Sequence, residues 1–414
     1  MSLAQAGFSV EAVSPPEHPF EKTSVIRRTY VYRGLSPLNS LAEAITAAKP
    51  DLIIPNDDLA VEQLHALYAR EHKQATPTAQ EICALLEKSL GTPASFRTVY
   101  ERDSFIEVAG KEGIRVPRAS AINSIDDLKR CINDIGLPLV LKSNGSSGGD
   151  GVRIVRSLDE AVRALRALQA PPLLARAIKR SLADQDRTLI WPSLARRRSA
   201  VSAQSFIAGR EATNLVACWE GKVLAGLHFE VLNKGISSGP ASVLRLIENA
   251  EMLDTAEKMV SRLNLSGLHG FDFMIEANTG HAYLIEINPR STQVGHLTLG
   301  PGRDLPAALY SAVTGKEIQE APKVTEKDTI ALFPQEWLRD SESENLKTAY
   351  HDVPWEEPEL VQVCISKSQK WRSKTLQQER VKAFWKLAGS PYATSKSLGA
   401  ESLTPEPSKS RSQR

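Results

Sequence analysis

Several absences narrow the class of this chain before any motif is read. Cysteine is scarce: Cys83, Cys131, Cys218 and Cys364 stand far apart in 414 residues, with no C-x-x-C pair. A disulfide framework is therefore not expected, and the four read as reduced or buried thiols of a cytosolic protein. Neither sign of charge dominates. Lys and Arg number 51 against 49 Asp and Glu, a net charge of +2, which gives no reason to expect nucleic acid or an anionic membrane as partner. No apolar run approaches the length of a membrane span. The opening residues, Met1 to Gly7, lack the cationic lead and long apolar core of a signal peptide. A cytoplasmic location is the expectation. There is no internal repeat. What remains is an ordinary globular composition, 42% hydrophobic and 24% charged, with room for two or three domains.

The most informative stretch runs from Gly267 to Arg290. Two apolar runs flank a polar turn at Ala277-Asn278-Thr279-Gly280, the pattern of a β-hairpin. Alternation places Phe271, Phe273 and Ile275 on one face and Asp272 and Met274 on the other. On the returning strand Tyr283 and Ile285 alternate with Leu284, Glu286 and Asn288. Pairing across the turn can bring Asp272 close to Glu286 and Asn288. Two carboxylates and an amide oxygen on rigid strands are hard ligands suited to Mg²⁺, which usually keeps water and phosphate oxygens as its other ligands. Arg290, two residues on, is a fixed cation for a phosphate or carboxylate. The plain alternative is an edge hairpin with solvated acids.

A second constellation lies upstream. The apolar run Leu137 to Leu141 ends in Lys142. A loop with four glycines in seven residues (Gly145-Ser146-Ser147-Gly148-Gly149-Asp150-Gly151) then returns as another apolar run. Glycines let backbone N–H groups approach phosphates closely, and Lys142 offers them a point charge. The Gly-Lys-Ser/Thr end of a Walker A loop is missing, and a strand rather than a helix follows, so the dinucleotide fingerprint is missing too.

Together these runs resemble the ATP-grasp superfamily, which includes carboxylate–amine ligases, biotin carboxylases and the large subunit of carbamoyl-phosphate synthetase. The resemblance covers residues 1 to about 315 and is strongest at 142–151 and 272–290. It implies Asp272, Glu286 and Asn288 as ligands of Mg²⁺ (or Mn²⁺ in its place), and Arg290 as the catalytic contact to a phosphate or acyl phosphate, acting with Lys142. It implies Gly145, Ser146, Ser147, Gly148, Gly149 and Gly151 as a cover over ATP. The family hinge under adenine matches Gln204, Ser205, Phe206 and Ile207, and Glu211 matches the acid that bonds the ribose. Gln204 departs from the usual acid; its amide oxygen can still accept from the adenine amino group. Arg102, with Arg97 as a rival, matches a phosphate-binding cation. Gly295 stands where carboxylases have a glutamate base, which disfavours bicarbonate chemistry.

The remaining chain reads as follows. Residues 1–98 form a Rossmann-like parallel α/β pre-domain: a helix end at Ser2–Ala6, a strand at Phe8–Val13, a helix at Leu38–Lys49, a strand at Asp51–Pro55 and a helix at Leu59–Glu71. The chain opens inside what reads as this domain's first helix, so its usual first strand is expected to be missing. Ligands gather at the carboxyl ends of parallel strands, making Asp57 and Asp58 substrate candidates; either can instead cap the next helix. Residues 99–200 and 201–315 form the two α+β subdomains of an ATP-grasp fold clasping ATP. Strands surround Glu220-Gly221, and His228 and Glu230 alternate toward one side, candidates for the substrate end of the cleft. Lys234 to Pro240 is a loop that can close over substrate, followed by a helix at Leu246–Leu263. Residues 316–388 form a C-terminal extension with a helix near 368–387, and 389–414 a disordered tail. The implied activity is an ATP- and Mg²⁺-dependent, ADP-forming ligase for a small-molecule carboxylate and a nucleophile, with room for a homodimer. A regulatory ATP-binding protein and a phosphotransferase are the alternatives.

Overall fold

The computed structural model describes residues 1–143, 151–170, 200–235, 239–317 and 321–367. The chain divides into two compact units, Met1–Leu360 and Val361–Arg414. In the second, residues 361–367 are helical, and the helix and tail expected beyond them lie outside the described residues.

The N-terminal region alternates as an α/β pattern should. Helix α1 (Ser2–Gln5) precedes Gly7, whose φ of +108° suits glycine alone. Strands β1 (Val10–Ser14) and β2 (Ile26–Val31) pair in parallel, and helices α2 (Pro37–Ala48), α3 (Asp58–Glu71) and α4 (Pro77–Leu90) follow. Leu38, Leu41 and Ile45 of α2 meet Leu64 and Leu67 of α3 and Ile82 and Leu86 of α4, each set at helical spacing. The strand expected at Asp51–Pro55 does not form. Its polar groups find other partners: Ile53 N–H donates to Ser89 Oγ at 3.0 Å, and the Pro55 carbonyl accepts from Ser291 N–H at 3.1 Å. The parallel sheet therefore has two strands among the described residues.

Helices α5 (Phe96–Tyr100) and α6 (Arg102–Lys111) lead to a four-stranded antiparallel sheet of order β3-β6-β4-β5. It is built from β3 (Ala119–Ile122), β4 (Leu139–Ser143), β5 (Val152–Val155) and β6 (Val201–Ser205), with α7 (Ile125–Ile135) and α8 (Leu158–Gln169) between them. One face buries Leu139, Leu141, Val155, Val201 and Ala203 against Leu128 of α7 and Leu165 of α8. By register, Val140, Lys142, Ser202 and Gln204 occupy the other face.

The third sheet has seven strands in the order β11-β10-β7-β8-β9-β12-β13. Strands β7 (Gly209–Trp219) and β8 (Lys222–Lys234) turn at Glu220-Gly221 as expected, both with positive φ. Gly209, expected in a turn, instead begins β7; a Cβ there would sit 2.0 Å from the Ile275 carbonyl oxygen. Strand β9 (Ala241–Leu246) takes up Leu246, the first residue of the expected helix, which begins instead at Ala250 behind its cap Asn249 and runs as α9 (Ala250–Leu263). The expected hairpin forms as β10 (Gly267–Glu276) and β11 (Ala282–Asn288), followed by α10 (Leu305–Thr314). From the extension, β12 (Thr329–Leu332) and β13 (Tyr350–Asp352) add the outermost strands of this same sheet. One face packs Phe271 and Phe273 against α6 and α9, and burial of each ring contributes roughly 2–3 kcal/mol. The opposite face packs Leu215, Leu227 and Phe229 against Leu305 and Leu309 of α10. Among the described residues no helix is long and apolar enough to cross a membrane.

Candidate active site

The hairpin register sets Asp272 directly opposite Glu286 and Gly270 opposite Asn288. Asn288 Nδ2 donates to Asp272 Oδ2 at 2.9 Å. The two carboxylates and the amide thus share one face, as the sequence predicts. Simple alternation fails at one point. A bulge between Asp272 and Phe273 inserts Ile285 as an extra residue, so Leu284 lies in the core with Phe273 rather than beside Glu286. The bulge also turns the Ile285 carbonyl to account: it accepts from Lys142 Nζ at 3.4 Å.

Sequence reading missed Thr213. Its hydroxyl donates to Asp272 Oδ1 at 2.9 Å, so both oxygens of Asp272 are oriented from the strands on either side. The signal was present: Thr213 lies two residues beyond Glu211, at strand spacing, and pairs with Asp272. Glu211 occupies the same face and forms an ion pair with Lys234.

Electrostatics distinguish this cluster. Burial, followed by the charge of Glu286, pushes Asp272 up to about 6, against the pull of Asn288, Thr213 and Arg290. A divalent cation shared by Asp272 and Glu286 relieves both causes. Among the described residues no group of three or more His, Cys, Asp or Glu side chains is placed to hold a metal, so a third protein ligand would be the amide oxygen of Asn288. That all-oxygen donor set fits Mg²⁺. Arg290 Nη2 lies 3.4 Å from Asn288 Oδ1.

Two cations face the acids from across the cleft. Arg102, the first residue of α6, donates from Nη1 to the Ser143 carbonyl at 2.7 Å and from Nη2 to Glu286 Oε1 at 2.9 Å. It therefore links the end of β4 to β11. Its rival Arg97 is 83% exposed and pairs with Glu101. Lys142 is 5% exposed; burial lowers its pKa, and the charge of Glu286 opposes the shift. The Ser143 N–H donates to the Gly151 carbonyl at 2.9 Å, closing the base of the glycine-rich loop. Gly145, Ser146, Ser147, Gly148 and Gly149 lie outside the described residues.

The hinge candidates occupy the end of β6 and its link to β7. Gln204 is 2% exposed with Nε2 unpartnered. Ser205 N–H donates to the Arg118 carbonyl at 2.8 Å, and Phe206 and Ile207 are half-buried in the connection.

Four candidates resolve differently. Asp57 caps α3, accepting from Ala60 N–H at 2.7 Å. Asp58 holds Arg290 instead, accepting from Nε at 2.8 Å and Nη2 at 3.3 Å, which joins α3 to the cluster. His228 and Glu230 are not brought to it. His228 pairs with Asn214, which pairs with Phe271, so parity places both side chains on the face opposite Asp272. Burial pushes His228 down to about 4. Glu230 is buried and taken by Arg210, at 2.9 and 3.0 Å, and Arg245, at 2.7 Å. At Gly295, a Cβ would come within 2.9 Å of both Leu215 Cδ2 and Ser291 Oγ.

The chain is similar to known proteins. Residues 101–299 match the family model described as carbamoyl-phosphate synthase L chain, ATP binding domain. The carbamoyl phosphate synthase large chain of Methanothermobacter thermautotrophicus is 24% identical over 243 residues, 58% of this chain and 21% of that relative. The chain thus spans about a fifth of the length of the first curated relatives it matches. Two solved structures share the fold. One is the biotin carboxylase domain dimer of Hydrogenobacter thermophilus 2-oxoglutarate carboxylase, in complex with MgADP, ADP and bicarbonate. Its TM-score is 0.53 at 15% identity, covering 77% of this chain and 67% of that one. The other is N5-carboxyaminoimidazole synthetase from Staphylococcus aureus with ADP, at a TM-score of 0.51 and 17% identity, covering 77% and 75%.

Proposed function

From the premise that this chain has the ATP-grasp fold, with its ATP-binding domain at residues 101–299, we propose that it is an ATP- and Mg²⁺-dependent ligase. The observation that carries the reading is the meeting of opposite charges across two sheets. Asp272 and Glu286 lie opposite one another on β10 and β11, and Lys142 of β4 reaches the carbonyl of Ile285, next to Glu286. That is the charge pattern needed to hold a polyphosphate together with its cation.

In this reading a substrate carboxylate attacks the γ-phosphorus of ATP, giving an acyl phosphate and ADP. A nucleophile, such as an amine, then attacks the acyl carbon and phosphate leaves. Bound Mg²⁺, held by Asp272, Glu286 and Asn288, would supply neutralising charge for the phosphate oxygens. Lys142, from the four-stranded sheet, and Arg102, from the start of α6, balance the same charge. Arg290, oriented by Asp58, presents a guanidinium to the transferred group. Glu211 and the Gln204–Ile207 segment hold the nucleoside. The division into a pre-domain (1–98), two clasping subdomains (99–200 and 201–315) and an extension is part of the same proposal. Gly295 supports substrates other than bicarbonate, because the position offers no carboxylate base. The buried thiols of Cys83, Cys131 and Cys218, none in a disulfide, support a cytoplasmic location.

The test is ADP release from the full chain, screened over small carboxylates with and without amines and thiols. Release that needs both a carboxylate and a nucleophile supports the ligase. Release with an acceptor alone indicates a phosphotransferase, and nucleotide binding without release under any pair indicates a regulatory protein.

A further inference from the structure

The cleft-facing side of the four-stranded sheet carries two buried polar groups that nothing among the described residues satisfies. Gln204 is 2% exposed and Ser202 1% exposed, and neither Gln204 Nε2 nor Ser202 Oγ has a hydrogen-bond partner. Buried polar atoms are nearly always met, so an unmet pair on one face marks a place where a ligand completes the structure. Both lie on the face opposite the apolar core of that sheet.

The register says how a nucleotide would lie there. Gln204 stands opposite Val140, which stands opposite Ile154. Ser202 stands opposite Lys142, which stands opposite Val152. Val140 and Ile154 form an apolar row ending at the Gln204 amide, and Ile154 is 45% exposed, an open surface for a large apolar side chain. Lys142 is one two-residue step along the strand, about 7 Å. A planar base resting on Val140 and Ile154 sets its edge at Gln204 and its phosphates toward Lys142.

At that edge the chemistry of residue 204 selects the base. An ionised carboxylate can only accept; it takes the 6-amino group of adenine and repels a 6-oxo group. A carboxamide has an accepting oxygen and a donating NH₂, exchanged by rotation about its last torsion. Resting on the nucleotide reading above, we propose that Gln204 makes the base pocket permissive, so that purine nucleoside triphosphates with a 6-oxo group bind alongside ATP.

The test is calorimetric titration of the full chain with the β,γ-imido analogues of ATP and ITP in Mg²⁺, for the unmodified protein, Gln204→Glu and Gln204→Met. The quantity read is the ratio of the two Kd values within each protein, which the fraction of folded material does not change. The two values should agree within about threefold in the unmodified chain. They should separate about 30-fold in favour of adenine in Gln204→Glu, and both should weaken by a similar factor of about ten in Gln204→Met. A preference for adenine of about 100-fold in the unmodified chain, or an unchanged ratio in Gln204→Glu, would overturn the proposal and leave the ATP site intact. Binding of neither analogue by the unmodified chain would overturn both readings.

Discussion

The two sheets that face each other across the cleft handle buried polarity in opposite ways. On the seven-stranded sheet every acid of the cluster already has a partner: Asp272 has Thr213 and Asn288, Glu286 has Arg102, and Glu211 has Lys234. On the four-stranded sheet, Ser202 Oγ and Gln204 Nε2 have no partner among the described residues, beside Lys142, whose Nζ makes a long bond of 3.4 Å to the Ile285 carbonyl. The first wall is organised in advance; the second is completed by its ligand. Metal ligands work best when their orientation is fixed, and an unmet carboxamide leaves a pocket that can either accept from or donate to a base edge.

The most severe way to break this contrast is to remove the cation of the incomplete wall. Lys142→Ala should weaken binding of an ATP analogue about 100-fold, read by calorimetry, because a buried charge-assisted contact to phosphate is lost. Thr213→Val disturbs the organised wall instead. It should reduce Mg²⁺ affinity about tenfold, read by calorimetry, as loss of a ligand-orienting hydrogen bond does.

Acid should have a graded effect on the same wall. Asp272 is raised from 3.8 to about 6 by burial and by Glu286. The folded carboxyl therefore keeps its proton between about 4 and 6, where the unfolded chain has released it. The stability from that proton is complete below about 4 and is lost as pH rises through about 6. A cation needs the ionised form, so Mg²⁺ affinity should fall below pH 6, approaching tenfold by pH 5 in a titration series. Asp272→Asn should flatten that dependence while weakening binding throughout.

The smallest effect sharpens the contrast. Ser202→Ala deletes a hydroxyl that has no partner, so thermal unfolding should shift by no more than about 0.5 kcal/mol, and toward greater stability. A loss of about 2 kcal/mol would mean that the hydroxyl is satisfied within the protein and that this wall is not incomplete.

Much of the cluster was legible in the sequence because strand alternation is a short-range rule. Asp272, Glu286 and Asn288 lie within 17 residues of one another, joined by one turn, and the hairpin places them as alternation requires. What alternation cannot report is an extra residue. The bulge at Ile285 moved Leu284 to the core without disturbing Glu286, because that acid lies beyond the insertion. His228 and Glu230 failed for a longer-range reason. Their face depends on the register of β8 against β7 and of β7 against β10, and local pattern fixes neither. Asp58 and Arg290 are 232 residues apart, and only tertiary packing brings the head of α3 to the end of the β10–β11 hairpin. The strand expected at Asp51–Pro55 had the right composition but found no ladder. Strand propensity counts only where a neighbouring strand offers its backbone.

The central claim is that Asp272 and Glu286 form a cation site on which nucleotide binding depends. Calorimetric titration of the full chain with the β,γ-imido analogue of ATP, with and without Mg²⁺, tests it on the unmodified protein and on Asp272→Ala/Glu286→Ala. The account predicts binding that requires Mg²⁺ and disappears in the double variant. Equal binding without Mg²⁺, or binding that survives the double substitution, would contradict it.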